Sequence, residues 1–300
     1  MSRICCLWVV TIMAITLFLS SFIWAGEHRP TGKTLVFVSI SPQAYFVEQV
    51  GGSQVTVEVL IGSGQSPVTY DPTPRQMSCL AEASILFTVG LPFEKRLLEK
   101  IKSGFDNLEI VDTRRGIELL AMDHDDHGHT HAGNHDPHIW LDPSLVKVQA
   151  ENICKALSVL LPDQRPTFES NLRSFQGQLD SIAATIRQEL SDLKRRTIYV
   201  FHPTYGYFCN AFDLEQVAIE MDGKEPSARQ LAELVDSCRK DSVRTIFVQP
   251  QFSRKAAQAV AEAIGGEVIP LDPLARNYID NLVEISAKIA AALGARAGDK

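Results

Sequence analysis

Six of the eight histidines in this chain of 300 residues fall between His124 and His138. Five of them lie in the stretch from Asp123 to His135, which is acidic and has almost no apolar side chains. Imidazole is the commonest metal ligand in proteins, and histidine-rich tracts are typical of metal binding. We therefore expect a mobile surface loop that captures a transition ion, whereas the alternative is a solvated loop without a function. The auxiliary ligands that this predicts are His124, His127, His129, His131 and His135.

Three further ligand-type side chains stand where ordered structure begins or ends. His138 lies where apolar residues resume after the loop, His202 follows the apolar run Ile198–Phe201, and Asp272 follows Val268–Leu271. In open α/β sheets, ligands bind outside the carboxyl ends of the strands. Taken singly, such a histidine is usually a hydrogen-bonded structural residue, and an aspartate before proline is often a turn or a cap. Spacing alone does not choose between these interpretations.

Eight short apolar and β-branched runs alternate with helical stretches, in two groups of four. This pattern predicts an α/β fold of two lobes, each with a central, mostly parallel sheet. The runs are Leu35–Ile40, Val55–Ile61, Ile85–Val89, Leu108–Val111, Thr197–Phe201, Gln216–Ile219, Thr245–Val248 and Val268–Leu271.

One long amphipathic helix is predicted between the two groups. Apolar residues recur every three or four positions from Phe168 to Leu193, and Pro166 stands where a helix start tolerates proline. At about 1.5 Å per residue such a helix extends roughly 40 Å, which is enough to join two lobes. A coiled-coil arm is the alternative. We expect a first lobe at 33–163 with the histidine-rich loop at 123–135, a linking helix at 164–194 and a second lobe at 195–297.

The amino terminus resembles a signal peptide at 1–25. Arg3 precedes an apolar run that ends at Ala25, a small residue suited to cleavage, whereas an uncleaved anchor is the alternative. Export places the protein in the periplasm or another extracytoplasmic compartment. Four cysteines then remain, Cys79, Cys154, Cys209 and Cys238. They either form disulfides, for example between Cys209 and Cys238, or are small buried apolar residues.

Composition excludes several classes of function. The formal charge is −7 and the chain has no long basic run, which argues against a nucleic-acid partner. Apolar residues make up 45% of the chain, as in folded proteins.

An open three-ligand zinc site would also suit an enzyme. However, no HExxH pair or GxSxG elbow occurs, so we expect no catalysis.

Several ordered stretches resemble the zinc- and manganese-binding substrate-binding proteins of ABC importers, the periplasmic high-affinity zinc uptake family. The resemblance implies the cluster A-I type of fold, with two α/β lobes bridged by one long backbone helix and the metal in the cleft between them. The matching stretches are 64–67 continuing through 71–76, Asp136–Pro143, Phe201–Phe208, Gly223–Arg229 and Leu271–Ala275.

The resemblance also implies the ligands. His138 and His202 match two histidines of the family, and Asp272 matches its carboxylate from the second lobe. The family's first ligand is a histidine directly after Ser-Pro, where this chain has Val68. Three protein ligands with a water, or with a loop histidine such as His135, would complete the tetrahedron that zinc prefers.

Five further residues are weaker candidates for metal ligands. We expect Glu220 and Glu225 to have structural or supporting roles. Gln65, Tyr70 and Asp71 lie near Val68 in sequence.

The expected function is capture of zinc and its delivery to the permease of an ABC importer, by a protein that is monomeric. The family's manganese binders tend to have a carboxylate at the position of His202, and imidazole suits zinc better. Affinity should fall below about pH 6.5, because imidazoles must be neutral to bind a metal. The alternatives are a binder of manganese or another divalent ion, and an extracellular metal buffer or adhesin without transport.

Overall fold

The structure is a computed structural model that describes residues 33–62, 64–67, 69–102, 104–121, 135–220, 228–252 and 254–294. The expected signal segment at 1–25 lies outside these residues. No helix within the described ranges is long and apolar enough to span a bilayer.

The first lobe has a parallel sheet in the order β2-β1-β3-β4. The central strand β1 is almost continuously buried, because helices cover both faces of a parallel sheet. Its strands and helices are β1 (Thr34–Ile40), α1 (Ser41–Gly51), β2 (Val55–Ile61), α2 (Pro74–Leu80), β3 (Ile85–Thr88), α3 (Pro92–Ile101), β4 (Glu109–Asp112) and α4 (Pro143–Leu160).

The second lobe repeats this topology, with all-parallel strands in the order β6-β5-β7-β8. In each lobe the chain winds outward in both directions from the middle of the sheet, and such a switch point is where α/β proteins bind ligands. Its elements are β5 (Thr197–Val200), α6 (Gly206–Ala211), β6 (Glu215–Ala218), α7 (Ala228–Lys240), β7 (Thr245–Val248), α8 (Arg254–Ile264), β8 (Glu267–Pro270) and α9 (Tyr278–Gly294). The predicted fold class of two α/β lobes is confirmed.

A single long helix, α5 (Arg165–Glu189), stands between the lobes. It is shorter than the predicted 164–194 at its carboxyl end: the chain turns at Leu190, and Leu193 lies beyond the helix. Its buried face packs against α1 and α4 of the first lobe and against α9 at the end of the chain. The two lobes thereby share one hydrophobic core.

Aromatic side chains form the centre of that shared core. Phe175 of α5 is fully buried, with its ring centroid 5.9 Å from those of Tyr45 and Phe46 in α1. Phe46 in turn meets the ring of Tyr278 edge-on at 4.8 Å, where α9 begins. These contacts join three helices that are far apart in sequence.

The four cysteines in the described residues are all free thiols. Cys154, Cys209 and Cys238 are buried, which matches the interpretation as small apolar residues and not the disulfide alternative. Burial raises the pKa of the Cys238 thiol to about 11 and raises those of Cys154 and Cys209 as well.

Replacing Phe175 with alanine should lower the free energy of unfolding by about 3–5 kcal/mol, because a large aromatic side chain is lost from a fully packed site. Urea denaturation measures this loss. The control is Val159→Ala, since Val159 is 75% exposed and its truncation should change stability by no more than about 0.5 kcal/mol. Equal losses in the two variants would contradict the role assigned to Phe175.

Candidate metal centre

His202 lies just beyond the carboxyl end of β5 and is fixed by residues that follow the neighbouring strands. Gln249, fully buried after β7, donates from its side-chain amide to the His202 carbonyl at 2.7 Å and accepts from the His202 N–H at 3.3 Å. Nδ1 of the His202 ring lies 2.6 Å from Oε1 of Glu220, which follows β6. Phe252 stacks on the ring, with centroids 4.6 Å apart. The ends of three strands therefore set the position and orientation of this imidazole.

His138 is held by an equivalent carboxylate pair in the first lobe. Oδ1 of the buried Asp136 accepts from the His138 backbone N–H at 2.9 Å and lies 2.6 Å from Nδ1 of its ring. The Trp140 ring packs edge-on against the imidazole, with centroids 5.2 Å apart. Trp140 also donates from Nε1 to the carbonyl of Pro273 in the second lobe at 2.8 Å. The surroundings of His138 thus bridge the two lobes.

Asp136 is itself fixed by a tyrosine of the second lobe. The Tyr207 hydroxyl donates to the Asp136 carbonyl at 3.1 Å and accepts from the Leu120 N–H at 2.9 Å. The neighbouring Gly206 must lack a side chain, because a Cβ there would lie 2.6 Å from Oδ2 of Asp136. The tyrosine thus holds the Asp136 backbone, and the glycine leaves room for the carboxylate that orients His138.

The two imidazoles come together across the cleft, with ring centroids 5.7 Å apart and planes inclined at 79°. Two imidazoles bound to one tetrahedral zinc at about 2.1 Å place their centroids roughly 5 Å apart. The carboxylates of Asp136 and Glu220 each contact Nδ1 of a ring, and Nε2 of neither ring has a hydrogen-bond partner in the described residues. A carboxylate on one ring nitrogen fixes the other as the metal ligand. Both rings line a cavity of about 550 Å³.

Asp272 follows β8 as predicted, but it does not line this cavity. Its Oδ1 accepts from Gln251 Nε2 at 2.8 Å and from the Leu274 N–H at 2.9 Å, and the second bond is that of a turn-forming aspartate. No group of three or more His, Cys, Asp or Glu side chains is placed to hold one ion within the described ranges. The structure therefore brings together His138 and His202, and it does not join Asp272 to them.

Of the predicted auxiliary ligands, His135 lines the same cavity as His138 and His202. His124, His127, His129 and His131 lie outside the described residues, as do Val68 and Glu225. Of the weaker candidates, Tyr70 is buried, whereas the other two are hydrogen-bonded elsewhere: Gln65 accepts from the Gly62 N–H, and Asp71 accepts from Lys100.

Sequence reasoning did not identify three residues that support the site: Asp136, Gln249 and Gln251. Gln249 and Gln251 directly follow β7, so the rule that indicated His202 and Asp272 would also have indicated them. Glutamine is a poor metal ligand, so the residue type itself gives no signal of a metal site. Gln251 lines the cavity, and its Oε1 is buried without a hydrogen-bond partner in the described part of the chain.

A buried acid supports the cavity wall in the first lobe. Glu94, in the first turn of α3, accepts from the N–H groups of Val89 at 2.9 Å and of Gly90 at 2.7 Å. Gly90 lines the cavity with φ +87°, and a Cβ there would lie 2.0 Å from the Arg114 guanidinium. Burial raises the pKa of Glu94 to about 7, although its hydrogen bonds oppose the shift.

A sequence model of the family described as "ZnuA: Zinc-uptake complex component A periplasmic" matches residues 36–292. The chain belongs to this family. The ZnuA description names a periplasmic component of a zinc-uptake complex.

Solved structures of ZnuA have the same fold. A crystal structure of ZnuA is 40% identical, with a TM-score of 0.83 over 87% of this chain and 99% of that one. A zinc-bound deletion mutant of ZnuA is also 40% identical, with a TM-score of 0.82 over 88% and 99% of the two chains.

Among curated relatives, the zinc-binding lipoprotein AdcA of Streptococcus pneumoniae R6 is 27% identical over 83% of this chain. The chain spans about half the length of that relative, 52%.

Replacing Glu220 with glutamine should weaken zinc binding by about 10-fold to 100-fold, because loss of a carboxylate partner lowers the basicity of the His202 ring and loosens its orientation. Titration calorimetry with a competing chelator measures the affinity. Glu215→Gln, which changes an exposed carboxylate at the start of β6, the strand that Glu220 follows, is the control and should bind zinc as the unmodified protein does. Equal zinc affinities in the two variants would show that the contact between Glu220 and His202 does not contribute to zinc binding.

Glu94 should make stability depend on pH. Its raised pKa disfavours the charged form in the folded state, so this penalty is absent below about pH 4.5 and complete above about pH 7. Across that window the unfolding free energy of the unmodified protein should fall relative to Glu94→Gln by about 3 kcal/mol. Urea denaturation of metal-free protein at pH 5 and pH 8 measures the difference. The exposed Glu58→Gln is the control, and the same pH dependence in both variants would refute the prediction.

Proposed function

We propose that this protein binds zinc in the cleft between its two lobes and delivers it to an ABC importer in the membrane. The observation that carries the proposal is the pair of imidazoles, one from each lobe, with each Nδ1 on a buried carboxylate and each Nε2 without a partner in the described residues. Neutral imidazole suits zinc, whereas a manganese site would favour carboxylates. Membership of the ZnuA family and the zinc-bound relative support the same choice of ion.

Asp272 remains the proposed third ligand, reached by a side-chain movement. Its Oδ1 is held by Gln251 and by the Leu274 N–H, whereas its Oδ2 has no hydrogen-bond partner in the described residues. Rotation of the Asp272 side chain toward the two imidazoles as zinc enters would replace its hydrogen bond from Gln251 with a bond to the metal. His135, on the wall of the same cavity, is the proposed fourth ligand, with a water as the alternative.

Zinc is the cargo in this proposal, and binding and release are the whole activity. The proposed state is an exported periplasmic monomer that meets its permease at the membrane. No catalytic step is assigned, because zinc held by the four proposed protein ligands, with His135 as the fourth, has no open position for a substrate. The histidine-rich stretch at 123–135 is proposed to raise the local zinc concentration next to the cleft, which His135 borders.

The decisive experiment separates the cleft from the histidine-rich stretch. Alanine at His138 or at His202 should weaken tight zinc binding by more than about 100-fold, because removing a ligand costs more than removing its hydrogen-bond partner. Alanine at His124, His127, His129 and His131 together should leave that tight site intact and remove weaker sites. Competition titration with a zinc chelator resolves the two classes by affinity and stoichiometry.

X-ray absorption of the one-zinc complex supplies a direct readout of the ligands. The unmodified protein should show at least two imidazoles, and Asp272→Ala should reduce the number of oxygen ligands without changing the imidazole count. The extracellular-buffer alternative predicts the opposite pattern: affinity and stoichiometry survive in the His138 and His202 variants and are lost in the variant of the histidine-rich stretch.

A further inference from the structure

A second cavity, of about 340 Å³, lies at the opposite end of the second lobe from the metal cleft. Its lining includes the residues at which β5 and β7 begin, Thr197 and Thr245, whereas the cleft lies at the carboxyl ends of the same strands. Its lining shares no residue with the cavity that contains His138 and His202.

The charge of this cavity is opposite to that of the protein. The whole chain carries a formal charge of −7, yet the lining has four basic side chains and one carboxylate. The basic residues are Lys194, Arg195, Arg196 and Arg244. The carboxylate is Asp241, whose Oδ2 accepts from the Tyr199 hydroxyl at 2.6 Å.

Main-chain carbonyls accept hydrogen bonds from all three arginines. Arg195 donates to the carbonyls of Ser242 and Leu293, and Arg244 donates to those of Ile264 and Gly265. Arg196 also donates to two carbonyls, and its nearest carboxylate, Asp213, is 3.8 Å away and well exposed. A carbonyl orients a guanidinium without neutralising it, so these bonds leave the positive charges of Arg196 and Arg244 in the cavity.

Two lining groups have donors available for a ligand. Lys194 is exposed and has no ion pair or hydrogen bond in the described residues. Thr245 is only 8% exposed and adds a hydroxyl-bearing side chain to the lining. An ammonium group and a hydroxyl are both donors that can bind an oxyanion.

We propose that this cavity binds a phosphate-bearing anion. Guanidinium and ammonium groups are the usual phosphate ligands, and a doubly charged anion matches a surplus of three positive charges better than a single carboxylate does. The volume lies within the range of small-molecule sites. A free phosphate compound and the headgroup of an anionic lipid share this chemistry.

The test is titration of inorganic phosphate into metal-free protein at low ionic strength, so that zinc recruits no anion to the cleft. Saturable binding that weakens at higher salt is expected. Lys194→Gln and Thr245→Val should each weaken binding by about 10-fold, the loss typical of one hydrogen bond to a charged group. Lys100→Gln, which removes an exposed lysine in the first lobe, is the matched control and should bind phosphate normally.

A second arm distinguishes the source of the phosphate. Co-sedimentation with vesicles of phosphatidylglycerol and phosphatidylcholine, compared with phosphatidylcholine alone, reports binding to a lipid headgroup. Loss of either kind of binding in Lys194→Gln and Thr245→Val, with Lys100→Gln unaffected, supports the proposal. Absence of both kinds of binding, or equal binding by all variants, overturns it. Circular dichroism verifies that the variants are folded, and their zinc affinity should equal that of the unmodified protein because the cavity is remote from the cleft.

Discussion

Each imidazole in the cleft is anchored through Nδ1 by a buried carboxylate, and the architecture around the site serves these two contacts. A carboxylate is costly to bury without partners, so Asp136 and Glu220 can stay there only because the rings and the nearby backbone satisfy them. Parallel strands deliver Glu220 beside His202, because β5 and β6 are neighbours and end at the same edge of the sheet. Tyr207 and Gly206 leave Asp136 little freedom. The pair of rings is thus placed before any ion arrives.

The lobes that supply these rings are not independent bodies. They share one core around α5, and the Trp140–Pro273 and Tyr207–Asp136 hydrogen bonds cross between them beside the cleft. A large hinge opening would break those bonds and uncover aromatic surface. Ion entry and release are therefore expected to depend on small side-chain movements, such as that of Asp272, and not on wide domain closure.

The sequence predicted the fold well because parallel strands buried on both faces have a simple pattern. Val55–Ile61 and Thr245–Val248 were predicted with their observed bounds, and the other six strands differ by one residue at either or both ends. The long helix was placed correctly at its start, but its apolar spacing continues past Glu189 into a turn that is also buried at Leu190. Periodicity reports burial, and it does not distinguish a helix end from a packed turn.

The site was predicted less completely. His138 and His202 were identified because imidazole is recognisable as a ligand, and they do meet. The supporting residues were harder to foresee. Asp136 acts on the His138 ring from two residues away, whereas Gln249 and Gln251 reach from the end of β7 to the His202 backbone and to Asp272. Asp272 shows the converse: its type and position suit a ligand, but its local bonds are those of a turn residue.

The buried thiols affect how the protein is inactivated once it unfolds. While the chain is folded, Cys154, Cys209 and Cys238 are protonated and shielded, and the thiolate that starts disulfide exchange is scarce. In the oxidising periplasm that the family description indicates, an unfolded molecule would expose all of them at once, and random cross-links would trap it. The lifetime of the protein there is then set by its rate of unfolding and not by its equilibrium free energy of unfolding.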